Sequence, residues 1–263
     1  MRISGANVLL TGATGGIGQA IAAALTAHGA KVVLTGRRTE VLEPLAERLG
    51  GRAITADLVD PASVTGLLAE AGPLDIVIAN AALPSSGLLM DYSIEEIDRA
   101  LTVNLRSPIV LARLVAEQMI ERGRGHLVFI NSLSGKTASG SSAMYNATKF
   151  GLRGFALALR EDLRPHGVGV STVFPGFIRD AGMFADAGVT LPRGIGTRTP
   201  EEVASAVLRA VEKNLAEVDV APLPLKIGAI IGGAAPAFAA AVQRRTGGEK
   251  IAKELSSRQR DKR

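Results

Sequence analysis

Short apolar runs alternate with longer stretches of mixed polarity along most of this chain. Residues 7–11, 31–35, 75–79, 126–131 and 168–174 are strand-length runs with almost no polar alternation, and 53–55 and 217–221 are weaker members of the same series. A strand that is apolar on consecutive positions is buried on both faces. Between the runs lie helical stretches at 17–28 (closed by Gly29), 39–49, from Pro61 onward, 94–122 and 143–164. A further helix opens at Thr199-Pro200-Glu201-Glu202. Strands separated by helices form parallel βαβ units. The expected architecture is an α/β, doubly wound parallel sheet of about seven strands with helices on both faces. No repeat, linker or low-complexity break interrupts residues 1–221, which are read as a single domain.

The pattern changes after residue 221. Residues 227–242 are 16 uncharged positions rich in Ala and Gly and containing Pro236, and a basic tail follows them. A spanning helix needs about 20 apolar residues, so this segment is short for a membrane crossing. It is expected to be a helix packed on the body or at a subunit interface, which makes the chain a homo-oligomer. Peripheral membrane contact through 227–263 is the alternative.

Charge sharpens this division. The net charge is +5, and residues 244–263 carry eight Lys/Arg against three Asp/Glu, so the tail accounts for all of it. The rest of the chain is neutral, with 22 bases and 22 acids, which argues against nucleic-acid binding. There is no cysteine, hence no disulfide, thiol nucleophile or cysteine metal site. His28, His126 and His166 have no carboxylate or second histidine at ligand spacing, so no metal site is expected. Strand-like residues begin almost at once without a preceding signal sequence, and the expected compartment is the cytoplasm, with a membrane-peripheral location as the variant.

The first candidate chemistry is the loop Thr11-Gly12-Ala13-Thr14-Gly15-Gly16-Ile17-Gly18, placed between the first strand and the first helix. Glycine lets backbone approach a pyrophosphate, and the helix N-terminus directs N–H groups and a positive dipole end at it. That context marks a dinucleotide-binding Rossmann fold. Glycines at 12, 16 and 18 or at 12, 15 and 18 both suit the loop, and the sequence of the loop does not choose. After the second strand, where an acid binds the ribose 2′-hydroxyl in NAD-dependent proteins, stand Arg37 and Arg38, with no acid before Glu40. The guanidinium fork matches a 2′-phosphate, so NADP(H) is favoured over NAD(H).

The second is Tyr145-Asn146-Ala147-Thr148-Lys149, which sets a phenol and an ammonium four residues apart on one helical face. A neighbouring ammonium favours phenolate, which is expected to lower the tyrosine pKa and fit Tyr145 for proton transfer. The small polar stretch from Ser132 to Ser142 precedes it, at the carboxyl end of the sheet where such folds bind ligands.

Over residues 5–221 the chain resembles the single-domain short-chain dehydrogenases/reductases. The resemblance rests on the Thr11–Gly18 loop, Asp57-Leu58, Asn80-Ala81-Ala82, Asn104, Ser132, Tyr145/Lys149 and Pro175-Gly176, with Ser132 lying 13 residues before Tyr145. It selects the single-domain glycine spacing over that of the larger epimerase-like relatives. It implies that Tyr145 is the acid/base, that Lys149 lowers its pKa and binds the nicotinamide ribose, and that Ser132 hydrogen-bonds the substrate oxygen. Asn104 would hold a water linking Lys149 to solvent. The cofactor would contact Gly12, Thr14, Gly15, Gly16, Ile17 and Gly18, Asp57 and Leu58 at the adenine, and Asn80 and Ala81 near a ribose. Pro175, Gly176 and Ile178 would border the nicotinamide. Two positions depart from the family pattern: Ala82 replaces a glycine, and Asp180 stands where a threonine commonly binds the carboxamide.

Residues 177–199 form a long apolar segment with glycines at 182, 188, 194 and 196, suited to close over the site and to receive a lipophilic ketone or secondary alcohol. The expected protein is an NADP(H)-dependent oxidoreductase interconverting a carbonyl and an alcohol. The competing reading is a catalytically idle NADP-binding or membrane-associated scaffold.

Overall fold

The computed structural model describes residues 1–189 and 196–246, together with Glu254, Ser257 and Arg258. Seven strands form one sheet: β1 (Asn7–Thr11), β2 (Lys31–Gly36), β3 (Arg52–Thr55), β4 (Ile76–Ala79), β5 (Gly125–Ile130), β6 (Val168–Pro175) and β7 (Glu217–Val220). Their order is β3-β2-β1-β4-β5-β6-β7 and every pairing is parallel. The order reverses between β1 and β4, which opens a crevice at the carboxyl ends of those strands.

Successive residues of the central strands feed opposite cores. Val8, Leu10, Ile76, Ile78 and Val128 face one cluster, with α1 (Gly16–Ala27), α2 (Thr39–Leu49) and α8 (Pro200–Glu212). Leu9, Val77, Leu127 and Phe129 face the other, with α3 (Pro61–Ala71), α5 (Ser107–Glu121) and α6 (Ala143–Leu163). Those strands are apolar without alternation because neither face meets water. The remaining helices are α4 (Ile94–Leu101), α7 (Met183–Ala187), α9 (Leu223–Ala234) and α10 (Pro236–Thr246).

Two helical expectations need refinement. The stretch expected over 94–122 is α4 and α5 joined through a π turn at Thr102–Arg106. Pro108 lacks the N–H that would reach back to the carbonyl of Asn104, so the i→i−4 ladder is broken there and the chain widens by one residue. The segment expected as one helix over 227–242 begins earlier, at Leu223, and divides at Ala235 into α9 and α10. Pro236 takes the first position of α10 and drives Ala235 out of helical geometry, to φ −136° and ψ 68°.

Candidate active site

The glycine loop folds as expected, and its packing shows which glycines are required. At Gly12 (φ +64°) a Cβ would lie 2.7 Å from Ala81 Cα, and at Gly18 it would lie 2.3 Å from the Gly12 carbonyl oxygen. At Gly16 it would lie 2.1 Å from Ala181 Cβ. Gly15 would meet nothing nearer than 3.5 Å, an ordinary contact. Close approach therefore selects 12, 16 and 18. Asn80 stitches β4 to this loop, its Nδ2 donating to the carbonyls of Thr11 and Gly12 at 3.0 Å each. The backbone N–H groups of Asn80 and Ala81 both donate to Thr11 Oγ1 at 3.0 Å.

Arg38 donates from Nη2 to the Thr14 carbonyl at 2.7 Å, which holds its exposed guanidinium at the loop's edge. Arg37 stands exposed beside it. Asp57 accepts from Val59 N at 3.0 Å, and the Leu58 carbonyl accepts from Ser107 Oγ at 2.6 Å, so both are fixed just beyond β3.

Beyond β5, Ser132 and Tyr145 are brought together. The serine hydroxyl hydrogen-bonds the phenol. Lys149, one turn along α6, is 2% exposed, its Nζ 5.7 Å from the Tyr145 ring centroid and bonded to the Ile130 carbonyl at 3.3 Å. Among the described residues no carboxylate pairs with it, and burial pulls its pKa down to about 8. The expected lowering of the tyrosine pKa is corrected: withdrawal from water raises it, and the Ser132 hydrogen bond opposes that only in part.

Asn104, buried in the π turn, is held through its side chain. Its Nδ2 donates to the Leu83 carbonyl at 2.9 Å and to Ser85 Oγ at 3.2 Å, and its Oδ1 accepts from Leu83 N at 2.7 Å. Both amide hydrogens tether the loop after β4, while the Asn104 backbone carbonyl is the one that Pro108 cannot bond. Two other asparagines do work that the sequence did not announce. Asn131 accepts from Ser132 N at 2.9 Å and donates to the Lys149 carbonyl at 3.1 Å, tying the catalytic loop to α6. Asn146 donates to the carbonyls of Ser134 at 2.7 Å and Thr137 at 3.1 Å. The position of Asn146 directly after Tyr145 was the available signal.

A second cluster went unread in the sequence. Lys136 pairs with Asp219 at 2.7 Å and Glu217 at 3.0 Å, and its Nζ lies 4.2 Å from the Phe174 ring centroid. Arg153 of α6 holds Glu217 through Nε at 2.7 Å and Nη2 at 3.2 Å. The cluster clamps the catalytic loop and α6 to β7, and the two bases hold Glu217 below the usual carboxylate range despite its partial burial.

Gly176 bonds to β7 through the Val220 carbonyl at 3.0 Å, and Ile178 is buried. The segment 177–199 is closed at its neck, where Arg179 N donates to the Arg198 carbonyl and Arg198 N to the Phe177 carbonyl, each at 2.9 Å. It lies across the glycine loop, with Ala181 on Gly16 and Gly182 against Ile17. Asp180 is exposed in a left-handed conformation (φ +69°) and pairs with Arg179 at 3.3 Å. The expected roles of Leu191, Gly194 and Ile195 fall outside the described residues. No group of three or more His, Asp or Glu able to hold a metal occurs among the described residues. His126, buried against Ser171 at 2.8 Å, is held to a pKa of about 3 by burial and by nearby positive charge.

A parallel sheet whose order reverses beside a glycine cradle, with a Ser–Tyr pair and a buried lysine at its carboxyl edge, defines a nucleotide-dependent oxidoreductase. The family model described as short chain dehydrogenase matches residues 6–190. The ketoacyl reductase HetN of Nostoc sp. is 36% identical over 232 residues, covering 85% of this chain and 81% of its own. A short-chain dehydrogenase from Sphingobium yanoikuyae in complex with NADPH superposes with a TM-score of 0.76 at 29% identity, over 88% of this chain and 94% of that one. A 3-ketoacyl-(acyl-carrier-protein) reductase from Brucella melitensis complexed with NADH gives 0.75 at 25% identity, over 83% and 97%. The chain belongs to the short-chain dehydrogenase/reductase family. It is an enzyme acting on CH–OH/carbonyl groups with a nicotinamide dinucleotide.

Proposed function

We propose that this enzyme is an NADPH-dependent reductase of lipophilic carbonyls, with 3-ketoacyl thioesters as the leading substrate class. The observation that carries the reading is the Ser132–Tyr145 hydrogen bond backed by buried Lys149, which has no carboxylate partner among the described residues. A phenol whose pKa is raised keeps its proton at neutral pH, which makes Tyr145 the acid that protonates the substrate oxygen in the reductive direction. Ser132 holds that oxygen, in place of its present bond to the phenol. The ammonium of Lys149, with no competing carboxylate, supports the phenolate left behind. Asn131 and Asn146 hold Ser132 and Tyr145 in register. The segment over the glycine loop excludes water.

The loop fits a dinucleotide: Gly12 and Gly18 let the backbone turn tightly against Ala81 and against itself, and α1 presents its N-terminus there. When bound, the nicotinamide supplies the hydride. Arg37 and Arg38 flank that cradle and select the 2′-phosphate. The names of ketoacyl reductases among the relatives support the thioester class.

The test is NADPH and NADH consumption with a panel of 3-ketoacyl thioesters and simple ketones, for the parent and for Arg37→Ala. The parent should prefer NADPH, and Arg37→Ala should lose about 10- to 100-fold of that preference, the worth of one charge-assisted hydrogen bond. Equal use of both cofactors by the parent overturns the NADP assignment. Turnover of small ketones alone overturns the thioester one.

A further inference from the structure

Helix α9 is apolar on both sides. Its inner face carries Leu225, Ala229 and Gly232. Ala229 is packed with Leu133, Phe174 and Ala221, immediately beside Ser132. Gly232 lies so close to the catalytic loop that a Cβ there would sit 2.0 Å from Thr137 Oγ1. The outer face presents Leu223, Ile227, Ile230 and Ile231 at 67%, 48%, 64% and 41% exposure, and α10 continues it with Phe238 at 61% and Val242 at 41%. A helix with apolar residues on both sides has its second side covered by something other than water.

The charge that follows indicates what covers it. Exposed Arg244 ends the apolar stretch, and the tail from there holds eight bases against three acids, beside a body with no net charge to receive it. Arg258 of this tail donates to the carbonyls of Ala187 and Gly188 at 3.1 and 3.4 Å, which places that guanidinium on the segment that overlies the site. A second copy carries the same excess of positive charge and offers it no opposite sign. An anionic bilayer offers the opposite sign, and apolar side chains beside Lys/Arg are the composition of an interfacial helix. Neither α9 nor α10 is long or apolar enough to span.

We propose that the outer face of α9 and α10 docks in the plane of an anionic lipid membrane, with the mouth of the catalytic site at headgroup level. The docking stands apart from the substrate assignment, and its readouts need no turnover.

The full chain is floated with vesicles of phosphatidylcholine, alone or mixed with phosphatidylglycerol, and its mass is measured in solution. Binding should be at least tenfold stronger on the anionic vesicles and should weaken at high salt, since each cation near such a surface strengthens partitioning about fivefold. The double variant Ile227→Glu/Ile230→Glu should lose at least tenfold in vesicle binding with an unchanged melting temperature and unchanged NADPH affinity. Vesicle binding that survives these substitutions overturns the proposal, because the tail alone is then responsible. So does an oligomer that they dissociate without any vesicle binding by the parent, which makes a second copy the occupant. Absence of vesicle binding by a monomeric parent overturns it as well.

Discussion

Lys136 and Lys149 are both buried, at 9% and 2% exposure, on either side of Tyr145, and their surroundings treat them in opposite ways. Lys136 meets two carboxylates and an aromatic face, in a cluster that Arg153 brings to charge balance. Lys149 meets a backbone carbonyl and the ring of a tyrosine, and burial lowers its pKa to about 8. Charge in a protein interior is costly unless paired, so a fold selected for stability alone would compensate both. Among the described residues, the lysine without a carboxylate is the one beside Tyr145, the acid of the proposed mechanism. Under the proposed mechanism, what distinguishes the two regions is which ammonium is left available to a neighbour whose charge changes.

The largest effect expected from this contrast is catalytic. Tyr145→Phe retains the ring but removes the proton, and turnover should fall about 10²- to 10⁴-fold while NADPH affinity, read by fluorescence titration, changes little. Near-parental turnover in that variant would remove the reason for leaving Lys149 unpaired. Next is Lys136→Met, which strands Asp219 and leaves Glu217 to Arg153 alone. Breaking a largely buried pair costs about 3–5 kcal/mol, and partial exposure of both acids reduces this to about 2–4 kcal/mol of unfolding free energy in urea. A loss below about 0.5 kcal/mol would erase the structural half of the comparison.

The smallest effect has the opposite sign. Lys149→Met should raise stability at pH 7 by about 1–3 kcal/mol, because the parent holds a desolvated ammonium whose pKa lies below the ordinary 10.5. Between about pH 8 and 10.5 the unfolded parent binds more protons than the folded one, so parental stability rises with pH across that window. The advantage of the methionine variant should therefore shrink from about pH 8 and be gone near pH 10.5, as urea unfolding at a series of pH values would show. A variant less stable than the parent at pH 7 would mean that Lys149 is structurally compensated after all.

The parts of this picture that the sequence reveals are those written in local order. Five of the seven strands are legible as apolar runs and β3 and β7 as weaker ones, the glycine loop as a turn between a strand and a helix, and the Tyr145–Lys149 pair as one helical face. Contacts across the fold are not local. Lys136 and Asp219 are 83 positions apart, and nothing near Lys136 announces an acid on β7. The direction of the Tyr145 shift likewise depends on how far the site is withdrawn from water, whereas the four-residue spacing to Lys149 conveys only proximity. The π turn is an intermediate case, since Pro108 was visible and its effect on the ladder follows from the missing N–H. The split at Pro236 was equally visible, but the apolar composition on both sides of it read as continuity.

The contact between Gly16 and Ala181 ties together the evolutionary histories of two positions 165 residues apart. A methyl at 16 would lie 2.1 Å from Ala181 Cβ and 3.2 Å from its Cα, so alanine cannot enter the first position while alanine occupies the second. With glycine at 181 the nearer obstacle disappears, and the remaining 3.2 Å asks for a shift of only a few tenths of an ångström. In a library of variants the two substitutions should therefore be non-additive. Gly16→Ala is deleterious in the present background and better tolerated after Ala181→Gly, so mutational paths through this pair are open in one order and closed in the other.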